Sequence, residues 1–130
     1  MLTRGVHKAS RSDAERLAAE AQDQGASVYF INGDRVVDRD SFFDAVRSTL
    51  PVDPPVMSNY SWDALSDSVW GGLDSLETSR VLIVWLDSDR LETSSEDFEL
   101  ALSVLRDITE TLASPKLTQG KPKEVTVLLS

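Results

Sequence analysis

Two aspartates four residues apart, Asp63 and Asp67, stand in the segment Asn59–Leu73, which reads NYSWDALSDSVWGGL. At that spacing the carboxylates share one face of a helix. Such a pair can exchange protons as general acid and base, help hold a hard metal ion, or receive a cationic partner. The plain alternative is a solvated polar face. Proton chemistry finds no support elsewhere in the chain. No nucleophile stands with its base, and there is no phosphate loop, GxGxxG or GxSxG. A carboxylate-dependent hydrolase is therefore the weakest of the functional readings. A metal site would rest on carboxylates, because the chain has no cysteine and one histidine, His7. Asp87, Asp89, Glu92, Glu96 and Asp97 look like a calcium loop but lack its glycine and its ligand spacing. No metal and no cofactor is expected, and binding is the favoured chemistry.

The elements around the pair suit binding. Ser61 is placed to cap a helix, its hydroxyl accepting a backbone N–H of the first turn. At about 100° per residue, Trp62, Leu65, Val69 and Leu73 form an apolar stripe. Asp63, Asp67, Trp70 and Asp74 form an acidic stripe beside it, with Trp70 as its single large aromatic. Gly71–Gly72 is expected to weaken or end the helix. Pro51, Pro54 and Pro55 precede it and stiffen a non-helical loop that runs to Ser58.

In chain order, residues 1–11 are polar and expected to fray. Ser12–Gln24 reads as a helix with a Ser12–Glu15 capping box and a thin apolar face of Ala14, Leu17, Ala18 and Ala21. Ala26–Ile31 reads as a strand, followed by an Asn-Gly turn and a helix Phe42–Leu50 capped by Asp40 or Ser41. After the acidic helix, Arg80–Leu86 has the continuous apolar run of a strand covered on both faces. A helix capped by Ser94 or Ser95 runs to about Leu112, burying Phe98, Leu102, Leu105 and Ile108/Thr109. Ser114–Lys123 reads as an exposed basic loop, and Glu124–Leu129 as a final strand. Strands joined through helices predict an α/β domain with a three-stranded parallel sheet packed by helices, plus an extra N-terminal helix.

Length and charge narrow the partners. At 130 residues, with 41% hydrophobic and 27% charged residues, the chain has the size and balance of one soluble domain. The absence of cysteine, of a signal-peptide core and of a membrane-length apolar run points to the cytoplasm. The net charge of −9 argues against nucleic acid and anionic membranes. Residues 59–112 hold twelve acids against three bases, so the acidity is focused on the middle of the chain. Such a field would steer a basic partner.

The segment SWDALSD, Ser61 to Asp67, behind a proline-bearing loop, resembles the signature of barstar-like proteins, inhibitors of the bacterial ribonuclease barnase. The resemblance extends through Tyr29–Gly33, Val81–Trp85, Val104–Asp107 and Val125–Ser130, covering residues 26–130; residues 1–25 are then a tail and an added helix. It implies a non-enzymatic bacterial inhibitor or immunity-type protein, monomeric when free. The inhibitor pushes its acidic helix and preceding loop into a basic, extracellular-type ribonuclease and mimics RNA phosphates with carboxylates. Asp63 and Asp67 match the two helix aspartates of the family, and Asp107 matches a glutamate on the long helix. Met57, Ser58 and Asn59 replace aromatic residues followed by glycine, with Asn59 able to take glycine's left-handed conformation. Tyr60 is placed to substitute for the lost aromatic surface. Ser66 replaces a tryptophan, and Trp70 lies one turn later. The expected contacts are thus Asp63, Asp67, Asp107, Tyr60, Met57, Asn59, Trp70 and Ser66. The alternative is an interaction module of the same fold that binds another basic protein or toxin.

Overall fold

In the computed structural model, which describes residues 3–130, the chain runs β1 (Gly5–Lys8), α1 (Arg11–Asp23), β2 (Ser27–Asn32), α2 (Arg39–Thr49), α3 (Trp62–Asp74), β3 (Arg80–Leu86), α4 (Ser95–Thr111) and β4 (Glu124–Leu129). Short 3-10 turns, Gly33–Arg35 and Ser88–Thr93, lead into α2 and α4. The strands form one parallel sheet in the order β1-β4-β3-β2.

The sheet has four strands where three were expected. The fourth is β1, in the stretch expected to fray; it pairs with β4 from Gly5–Thr126 to Lys8–Leu129. Its sequence, GVHK, carries too little apolar pattern to announce a strand. What orders it is the neighbouring β4, buried from Val125 to Leu129, whose outer edge it covers.

Handedness explains where the helices lie. From β2 to β3 to β4 the chain steps one way across the sheet, so right-handed crossovers put α2, α3 and α4 on one face. From β1 to β2 it crosses the whole sheet the other way, so α1 falls on the opposite face. Alternation along the strands gives each face its own core. Val81, Ile83, Trp85, Val125 and Val127 meet Phe42, Val46, Leu65, Leu73, Leu105 and Ile108 of the three helices. Leu82, Val84, Leu86 and Leu128 meet Ala14, Ala18 and Ala21 of α1, with Leu17 half-buried beside them. The thin alanine face is therefore the cover of half the sheet, and its small side chains let the helix lie close.

Several helix starts differ from expectation. The α1 cap is Ser10, whose Oγ accepts from Asp13 N at 3.2 Å, and Glu15 pairs with Arg11 at 3.3 Å instead of completing a box with Ser12. α2 begins at Arg39 under Asp38, because a reciprocal box forms there. Asp38 Oδ1 accepts from Ser41 N at 2.9 Å and Ser41 Oγ accepts from Asp38 N at 3.1 Å. Ser94 precedes α4, but its hydroxyl donates to Val37 O at 3.1 Å and caps nothing. The Ser114–Lys123 segment is not wholly exposed. Lys123 is buried, and its Nζ donates to Leu76 O at 2.6 Å and Thr78 O at 2.7 Å. It supplies a cation at the C-terminal end of α3, a helix with no basic residue in its last turn.

Candidate protein-binding face

Asp63 and Asp67 are presented by a helix locked from behind. Ser61 Oγ accepts from Ala64 N at 3.0 Å, as the sequence indicated. Trp62, the first helical residue, is wedged against α2, with ring centroids 5.0 Å from Phe43 and 5.8 Å from Phe42. Leu65, Val69 and Leu73 are buried below it. The apolar stripe therefore fixes the rotation of α3, and both aspartates face solvent.

The helix does not break at its glycines but continues to Asp74. A Cβ on Gly71 would lie 2.1 Å from Asp53 O, and one on Gly72 would lie 2.1 Å from Pro51 O. The glycines are there so that the proline loop can lie against the helix, where Asp53 N donates to Ser68 O at 2.8 Å. Since the helix does not end at Gly71, Trp70 stays on its outer flank; it is half-buried against the core, so only part of its ring is on the surface. Ser66 is half-buried as well.

The loop held in this way presents the two most exposed large apolar side chains described, Met57 at 90% and Tyr60 at 86%. Between them Asn59 turns inward. Its Nδ2 donates to Asp40 Oδ1 at 3.1 Å, and its Oδ1 is buried without a partner. Asn59 does not take the left-handed conformation that was open to it. Asp87 and Gln119 are the non-glycine residues with positive φ among those described. Sequence reasoning named Asp40 only as a cap of the second helix and missed its link to Asn59, because nothing short of the fold joins residues 19 positions apart.

Asp107 is exposed on α4, which packs beside α3. Arg11, Arg16, Arg47 and Arg90 pair with acids elsewhere on the surface. Among the described residues, Asp40, Asp63, Asp67 and Asp107 form no ion pair. Most other acids described are unpaired too; what distinguishes Asp40 and Asp63 is that they stand in the first turns of the two helices flanking the Met57–Tyr60 tip, with Asp67 one turn on, whereas Asp107 lies near the C-terminal end of α4. Acids grouped around the apolar tip are suited to receiving cationic groups. A cleft of ≈ 760 Å³ lies at the far end of α3 between Asp74–Ser79 and Thr118–Lys123. Among the described residues no group of three or more His, Asp or Glu is placed to hold a metal ion, and no helix is long and apolar enough to cross a membrane.

Compared with curated proteins and with solved structures, the chain has no match. The family model for barstar, the barnase inhibitor, matches residues 26–130, which take in α2, α3, the loop between them and α4, so the chain belongs to the barstar (barnase inhibitor) family.

Proposed function

We propose that this protein is a cytoplasmic inhibitor of a basic, extracellular-type ribonuclease, monomeric when free, that blocks the nuclease active site without doing chemistry. The observation that carries the reading is the exposed, unpaired Asp63 and Asp67 beside the Met57–Tyr60 tip. Membership of a barnase-inhibitor family supports it. In the bound state the aspartates take the place of RNA phosphates against the enzyme's cations. Met57 and Tyr60 bury apolar surface, and Asp107 extends the acidic contact from α4. Desolvating a carboxylate alone is unfavourable, so the gain exists only against a cationic site. An interface of about 800 Å² per partner is the ordinary size for such a complex. The same acidity disfavours nucleic acid and anionic membranes as partners.

The test is calorimetric titration against a panel of basic microbial ribonucleases, with Asp67→Ala in parallel. Expected is nanomolar or tighter binding, weakened by salt and reduced by about 3–5 kcal/mol in the variant, the usual cost of breaking a buried charge pair. No binding across the panel overturns the ribonuclease target. It would favour the second reading, a module for another basic protein or toxin, which draws on Met57 and Ser58 standing at the loop tip in place of aromatic residues.

A further inference from the structure

The first turn of α2 lies next to the loop tip, and several bonds immobilise it. Asp38 and Ser41 close a capping box on it. Arg39 N donates to Asp97 Oδ2 of α4 at 3.1 Å, and Ser94 Oγ donates to Val37 O just upstream. The turn is thus bonded to the start of α4 on one side. On the other it offers Asp40 Oδ1 to Asn59 Nδ2. The direction of the Asn59 amide follows from chemistry, because a carboxylate accepts and only the NH2 end can face it. That leaves Asn59 Oδ1 inside, buried and without a donor. A buried acceptor without a partner is unfavourable, so the inward position must be held by something else. Among the described contacts the Asp40 carboxylate is the side-chain group that holds it.

We propose that Asp40 is a positioning residue for the binding loop: through Asn59 it latches residues 57–60 to the first turn of α2, so that Met57 and Tyr60 are held outward in one arrangement before any partner arrives. Ordering the loop in advance lowers the entropy lost on association. Its consequence for binding rests on the inhibitor function proposed above, whereas the latch itself exists in the free chain.

Backbone 15N relaxation of the free protein tests it without a partner, so failure of the ribonuclease reading and failure of the latch are separable. In the parent chain the amides of 57–60 should show order parameters near the rigid value, about 0.85. In Asp40→Ala and in Asn59→Gly they should fall toward about 0.6 or below, while those of α2 and α3 stay unchanged. Asp40→Asn retains an acceptor for Asn59 Nδ2 and should restore most of the order. The double variant Asp40→Ala/Asn59→Gly should be no more mobile than either single one. Unchanged order in Asp40→Ala would overturn the proposal. Asp40→Asn as mobile as Asp40→Ala would overturn it too, because the effect would then be one of charge and not of the bond.

Discussion

At the scale of single residues, the acidic face holds carboxylates that make no ion pair in the free chain, among the described residues. Asp67 lies beyond the first turn of α3, where the helix dipole no longer favours it, and stands four residues from Asp63 without an ion pair. Asp67→Ala should therefore leave the free protein as stable or more stable, by roughly 0.2–0.5 kcal/mol from relieved repulsion, with a further gain from helix propensity. The same variant should lose binding. Thermal melts alongside titration check this opposition in sign; a destabilised Asp67→Ala chain would mean that the carboxylate serves the fold. Lys123 is the reverse case, a buried ammonium with no exposed role. Lys123→Met removes the donor from Leu76 O and Thr78 O, and should cost about 1–3 kcal/mol in a urea titration with an unchanged slope. That Asp63 and Asp67 share one exposed helix face was legible from spacing alone, since a helix places residues four apart together. Lys123 was not: it sits in a run of polar and turn residues, and its acceptors lie more than forty positions away in the chain.

At the scale of elements, caps and close approaches decide what α2 and α3 can present. Hydrogen bonds from the Ser41 hydroxyl and then from the Ser41 backbone N–H hold the Asp38 carboxyl below its ordinary value near 3.8. A group whose folded value is depressed contributes stability that is full above the ordinary value. That contribution is lost as pH falls through the lower one. Denaturant midpoints of the parent chain should therefore drop below about pH 4 with a contribution that Asp38→Ala lacks. At neutral pH that variant should be about 1 kcal/mol less stable, as for other lost helix caps. Gly71→Ala pits helix propensity against packing. Propensity alone predicts a gain of up to about 1 kcal/mol, but the added Cβ would meet Asp53 O at 2.1 Å, far inside contact distance. Packing should win, with a loss of about 1–3 kcal/mol in the same titration. The sequence misled here for a definite reason. Glycine reads as a helix end when only the local chain is considered, whereas these glycines answer to a loop some twenty residues earlier. The apolar stripes of α3 and α4 and the strands β2, β3 and β4 were legible because each is long enough to carry its own period. The caps of α1 and α2 were displaced by two or three residues, since serine and aspartate stand at several neighbouring positions and only the bonds formed choose among them.

At the scale of the molecule, the family match begins at residue 26, yet the sheet does not. β1 covers the outer edge of β4, and α1 alone covers the face formed by Leu82, Val84, Leu86 and Leu128. The thin apolar face of α1 gave no hint of this, because three alanines carry little hydrophobic signal. Their partners in β3 and β4 carry most of the buried area, and those strands already read as covered on both sides. Removing residues 1–25 would leave the acidic helix and its loop intact in sequence. It would also expose four large apolar side chains in one patch together with an unpaired strand edge, both of which drive association. The shortened chain should melt at a lower temperature, bind an apolar dye and scatter light on concentration, while the full chain does none of these. A full-length variant, Ala18→Asp, separates the two causes. It keeps β1 on the sheet edge but places a charge against the face that α1 covers, where Ala18 is 3% exposed. If Ala18→Asp behaves like the truncation, the cover of the face matters most. If only the truncation associates, the open edge of β4 is the cause. A shortened chain that stays soluble and melts like the full one would mean that the sheet is complete without β1 and α1.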